Sequence, residues 1–90
     1  MENRIPVVYS KVRKVWGRAK FDTNTIHLHY KIKGKKHCEI LVHEGLHILF
    51  PDLTEAEIVE KAILLTNTIW EEGYRRQDNS NDIPMQDGSL

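Results

Sequence analysis

Ninety residues leave room for one compact domain, and an apolar share of 40% supplies a modest core that a bound metal or a partner would help to stabilise. No run approaches the roughly 18 consecutive apolar residues of a membrane span, and Met1-Glu2-Asn3-Arg4 leads into no signal-peptide core, so a cytoplasmic protein is expected. The net charge of zero hides a polarity: residues 1–36 carry ten Lys or Arg against Glu2 and Asp22, a net of +8, whereas residues 37–90 carry eleven acids against Lys61, Arg75 and Arg76, a net of −8. A basic half of this kind can meet nucleic acid or an acidic partner, but it can equally pack on its own acidic half or stay solvated, and these two bland readings are together the simpler expectation. The single cysteine, Cys38, excludes an internal disulfide and reads as a small apolar helix residue.

In chain order, Val7 to Val15 mixes apolar residues with Lys11, Arg13 and Lys14 at a spacing that fits a short amphipathic helix or an irregular strand; helix is the reading adopted. After Gly17, Arg18 to Phe21 and Thr25 to Tyr30 have the β-branched, aromatic and alternating character of strands. Asp22-Thr23-Asn24 between them is turn-forming, which predicts a β-hairpin. Lys31 to Lys36, around Gly34, then reads as a basic loop.

Helical periodicity runs from His37 to Phe50, with apolar residues over most of the circumference, so a central buried helix is predicted. Pro51 ends it, and Thr54 with Glu57 forms a capping box that starts a second helix after a tight corner. That helix places Ile58, Val59, Ala62, Leu65, Thr66 and Ile69 on one face and runs to about Glu72, where Gly73 offers a C-cap. Residues 1–74 are thus read as one domain of α+β class, a hairpin or short sheet packed on a buried helix and a second helix. Residues 75–90 are polar without apolar period, and a disordered or loosely attached tail is expected.

The chemistry is concentrated in His43-Glu44-Gly45-Leu46-His47. Residues four apart share a helix face, so both imidazoles point to one place, and Zn²⁺ with its preference for nitrogen ligands is the natural occupant. Glu44 sits about 100° round the helix from His43, flanking the metal without ligating it, where its carboxylate can accept a proton from an activated water. A charged glutamate in a largely apolar helix is costly without such compensation, which weighs against a chance pattern.

Tetrahedral zinc that keeps a water position needs a third protein ligand. The metzincin pattern would put a Gly at position 50 and a His at position 53, but Phe50 and Leu53 stand there, which excludes that class. Glu55, Glu57 and Glu60 open the next helix and are the remaining candidates. With Ile58 at zero on the helical wheel, Glu55 falls at about 60°, within the apolar face, and Glu57 and Glu60 fall outside it. An ordinary first-turn acid favouring the helix dipole remains the alternative for Glu55, and Glu57 has its own role in the capping box.

On these residues the chain resembles the minimal gluzincin-like metallopeptidases, which include small phage and mobile-element proteins and the ImmA/IrrE-type peptidase domain. The likeness spans about residues 17–70: the hairpin Gly17 to Tyr30, the motif helix Glu39 to Phe50, and Pro51-Asp52-Leu53-Thr54-Glu55. It implies zinc held by His43, His47 and a glutamate of the next helix, for which Glu55 is the choice, with Glu44 as general base. It also implies a peptide substrate lying antiparallel to an edge strand, for which Thr25 to Tyr30 is the expected choice. Two departures stand out. The chain is short enough that the cleft would be shallow, and no oxyanion-stabilising residue can be assigned among Tyr30, Tyr74, His27 and His29. His27 and His29 read more simply as strand residues on one face, and His37 as a residue near the helix start.

The resemblance thus implies a zinc metalloendopeptidase. The competing reading is a zinc-stabilised binding module for a protein or nucleic-acid partner, with little or no catalysis.

Overall fold

The computed structural model describes residues 3–77, a three-stranded sheet followed by two helices, an α+β arrangement. The strands are β1 (Val7–Ser10), β2 (Gly17–Lys20) and β3 (Thr25–His29), and the helices are α1 (Gly34–Leu49) and α2 (Glu55–Glu71). Sheet order is β1-β3-β2, with β1 parallel and β2 antiparallel to β3. The hairpin forms where Asp22-Thr23-Asn24 predicts it, and Asn24 takes the left-handed φ of 50° that asparagine tolerates.

Several expectations need correction. The helix expected over Val7–Val15 is instead a strand over Val7–Ser10 and a loop, because Val7-Val8-Tyr9 suits a pleated surface and gains a full register of partners, Val7 to Ser10 against Ile26 to His29. Thr25–Tyr30 is no edge strand: β3 is paired on both sides, and the free edges belong to β1 and β2. The basic loop expected over Lys31–Lys36 ends early, since α1 starts at Gly34, whose φ of 64° turns the chain into the helix. Finally, α1 is mostly half buried rather than fully enclosed; its one fully buried residue is His37, and Leu49 is exposed. One sheet and one further helix cannot enclose a helix on all sides in so small a domain.

The architecture is layered. β3 turns Ile26 and Leu28 towards α1, and with Ile32 they form the core, flanked by Ile5, Val7, Ile40, Leu41 and Ile48. Gly17 lies directly beneath α1, where a Cβ would stand 2.7 Å from Ile40 Cγ2 and 2.9 Å from Leu28 Cδ2, so any larger residue requires these side chains to shift. Among the elements α2 touches α1 alone. Its buried stripe, Ile58, Ala62 and Thr66, is narrower than the face expected for it, since Val59 and Leu65 are exposed at 39% and 44%.

Arg75 and Arg76, expected in a loose tail, are held against the body. The Arg75 guanidinium lies 3.7 Å over the Trp70 ring and donates to the Trp70 carbonyl at 2.8 Å, and that of Arg76 lies 4.8 Å over Tyr9. The rest of that segment, 78–90, falls outside the described residues. No helix among the described residues is long and apolar enough to cross a membrane.

Candidate metal centre

His43 and His47 stand one turn apart on the half-buried side of α1, their ring centroids 5.0 Å apart. What they face is decided by the corner that follows. The Phe50 N–H donates to the Leu46 carbonyl at 2.8 Å and closes α1, and the Leu53 N–H donates to the Phe50 carbonyl at 3.1 Å, folding Pro51 and Asp52 into a turn. Thr54 then opens α2 with a complete capping box: its Oγ1 accepts from the Glu57 N–H at 3.2 Å, and Glu57 Oε1 accepts from the Thr54 N–H at 2.8 Å. The chain reverses within five residues, and the first residue of α2, Glu55, returns to the histidines.

Glu55 spans both rings, with Oε1 2.8 Å from His47 Nε2 and Oε2 3.1 Å from His43 Nε2. The donor atoms of His43, His47 and Glu55 all lie within 4.8 Å of one another. A tetrahedral zinc with bonds of about 2.0–2.1 Å holds its ligand atoms about 3.3 Å apart, so two imidazole nitrogens and a carboxylate at this spacing fit the ion in number, type and scale. The two imidazoles are largely buried and the Glu55 side chain is 65% exposed, so the cluster opens to solvent on the α2 side.

The other two candidates lie elsewhere. Glu57 is occupied by the capping box, and the hydrogen bonds from Thr54 hold its carboxyl below the ordinary range. Glu60 is exposed on the outer side of α2.

Glu44 is half buried beside the cluster. Burial pushes its carboxyl above the ordinary range; the imidazoles of His43 and His47 and the Ala19 N–H work against this, and the nearby Glu55 charge adds to it. The involvement of Ala19 follows from strand register. The Ile26 N–H is directed to β1, donating to the Pro6 carbonyl at 3.0 Å, so Ala19, opposite Ile26 on β2, sits in a non-hydrogen-bonded pair and aims its N–H off the free edge. Phe21, just beyond β2, meets the His47 ring edge-on at 6.5 Å. Neither contact was foreseen from the sequence, because both depend on β2 being the outer strand.

The residues considered for an oxyanion role are distributed away from the cluster. His27 and His29 project from the sheet face opposite Ile26 and Leu28, Tyr30 stacks on His29 with centroids 5.0 Å apart, and Tyr74 lines a cavity with His37 and Cys38 near the start of α1. His37 has a structural role: its Nε2 is hydrogen-bonded to the Tyr9 hydroxyl at 2.8 Å, and burial, aided by the Arg76 charge, holds its pKa below the ordinary value. Comparison of the chain with protein-family models, with curated proteins and with solved structures finds no match.

Proposed function

We propose that this protein is a zincin-like metallopeptidase that binds zinc through His43, His47 and Glu55 and hydrolyses peptide bonds with Glu44 as general base. The observation that carries the reading is the convergence of both imidazoles on the Glu55 carboxylate, with the half-buried Glu44 carboxyl beside them. Zinc bound there supplies Lewis-acid polarisation of a carbonyl and brings the pKa of a water towards about 7. Glu44, on the motif helix between the two histidines, takes up a proton on its carboxylate and returns it to the departing amine. The free edge of β2 offers main-chain donors and acceptors to an extended peptide, and this edge, rather than β3, is the one beside Glu44.

The test is Glu44→Gln in purified protein loaded with zinc. Cleavage of a peptide library should fall by at least about 100-fold, as when a general base is lost, while zinc content stays at the wild-type level. Wild-type activity in the variant would sink the assignment. The second reading, a zinc-stabilised binding module, is favoured by the placement of Tyr30, Tyr74, His27 and His29 away from the cluster. It predicts that no library member is cut and that zinc removal unfolds the domain.

A further inference from the structure

One face of the sheet is covered by α1, with α2 stacked beyond it; the other is not covered by either helix. Strand register fixes what stands there. Ile26 and Leu28 pair with Ala19, Gly17, Val7 and Tyr9 on the helix side, so His27 and His29 share the open side with Val8, Ser10, Arg18 and Lys20. The loop from Ser10 to Gly17 crosses the end of β3, fastened by the His29 N–H on the Trp16 carbonyl at 2.7 Å and the Tyr30 N–H on the Ser10 carbonyl at 2.9 Å. Lys14, with a left-handed φ of 67°, bends the loop so that it rises beside the open face.

Two clefts result, with Val12 on the wall of each. The first, about 280 Å³, is bounded by Lys11 and Arg13 from the loop and by Arg18, Lys20 and His27 from the sheet. The second, about 260 Å³, is bounded by Lys14, Val15, Trp16 and His29. Among the described residues no carboxylate lines either. Among the described residues the one ion pair made by a Lys or Arg is Lys36 with Glu39 at 3.7 Å, so the cations of both clefts make no ion pair with a described carboxylate. Aromatic surface adjoins these cations: Trp16 is 47% exposed and meets His29 edge-on, and Tyr30, 51% exposed, stacks on the same imidazole.

We propose that this open sheet face, together with the Lys11–Trp16 loop, binds single-stranded nucleic acid. The four cations of the first cleft match a phosphate backbone, and Trp16, His29 and Tyr30 offer flat apolar surfaces on which bases stack. An acidic protein would use the cations but gain little from the exposed rings. A duplex would keep its bases paired away from them. The surface lies across the sheet from the metal centre, and the proposal does not depend on the peptidase reading.

The experiment is fluorescence anisotropy of the full chain with a labelled oligothymidylate of about 16 nucleotides, the upper end of the site sizes of comparable single-strand surfaces. A duplex of the same length and a labelled polyglutamate serve as comparison probes. Four cations predict a log–log salt slope of about −2.8, a roughly 50-fold loss of affinity between about 50 and 200 mM salt. Arg18→Glu with Lys20→Glu should abolish binding at the higher salt, and Trp16→Ala should weaken it by about 5- to 160-fold without changing the slope. The loop pair Lys11→Glu with Arg13→Glu repeats the charge test without touching a strand, and decides the matter if the β2 pair fails to fold by circular dichroism. The proposal is overturned by absence of binding at about 50 mM salt, by duplex or polyglutamate binding as tightly as the single strand, or by a Trp16→Ala variant that binds like wild type.

Discussion

Thr66 Oγ1 is buried against α1 with no hydrogen-bond partner among the described residues. A hydroxyl in that position loses water without compensation, so Thr66→Val should raise stability by about 1 kcal/mol, measured as the midpoint of urea denaturation. The reverse holds at Tyr9, whose hydroxyl is bonded to the buried His37 ring. Tyr9→Phe strands that nitrogen and should cost about 1–3 kcal/mol in the same assay. His37 also sets a pH dependence. Its folded pKa is depressed by burial and by Arg76, so the neutral ring is the form that folding favours. The resulting stability is complete above the ordinary histidine range and is lost as pH falls through the lower folded value. Thermal melts of the metal-free chain should therefore weaken on acidification from neutral pH, and His37→Asn should flatten that part of the profile; an unchanged slope would count against it. None of this was legible in the sequence, where His37 reads as a residue near a helix start, because its partners Tyr9 and Arg76 lie 28 and 39 positions away along the chain.

At the scale of elements, what the sequence made plain was local. The hairpin turn, the capping box at Thr54 and Glu57, and the shared face of His43 and His47 depend on residues within four positions of one another, and each stands where local chemistry puts it. That Glu55 turns towards the histidines was also readable, since one helical wheel and one short corner determine it, although its side chain stays exposed. The misread strand at Val7–Ser10 and the misplaced sheet edge depended on strand order. Val7–Ser10 has no partner within the sequence neighbourhood that would mark it as a strand, and the central place of β3 follows from that distant pairing. Gly17 belongs to the same class, in the sequence only the point after which the strand pattern begins, in the fold a close-approach site beneath Ile40. Gly17→Ala should overpack that contact and cost about 1–3 kcal/mol, and a melt within error of wild type would show that α1 yields freely.

At the scale of the molecule the core is small: among the described residues five buried apolar side chains, Ile26, Leu28, Ile32, Ile58 and Ala62, are divided between a sheet–helix and a helix–helix layer. Since α2 meets only α1 among the elements, a metal shared by His43, His47 and Glu55 would act as a cross-link between the outer layer and the rest. Zinc at about 100 times its dissociation constant stabilises the folded state by about 2.7 kcal/mol, and each kcal/mol moves the midpoint by about 4–8 °C in a domain of this size. Differential scanning fluorimetry should show that increase for wild type and its loss on chelation, whereas Glu55→Gln should respond little to zinc.

The corner between the helices has a further consequence for inheritance. Glu55 reaches His47 from eight positions along the chain, and the five residues between α1 and α2 work as a ruler. An inserted residue would displace the Thr54 cap and Glu55 together by up to about 3.8 Å, one Cα step, beyond what contacts of 2.8 and 3.1 Å tolerate. Descendants of this chain that keep the site should therefore drift in composition at Pro51, Asp52 and Leu53 but not in length. His-Glu-x-x-His, six residues, then Thr-Glu-x-Glu is accordingly a short signature by which distant kin can be picked out when the remainder of the sequence has diverged.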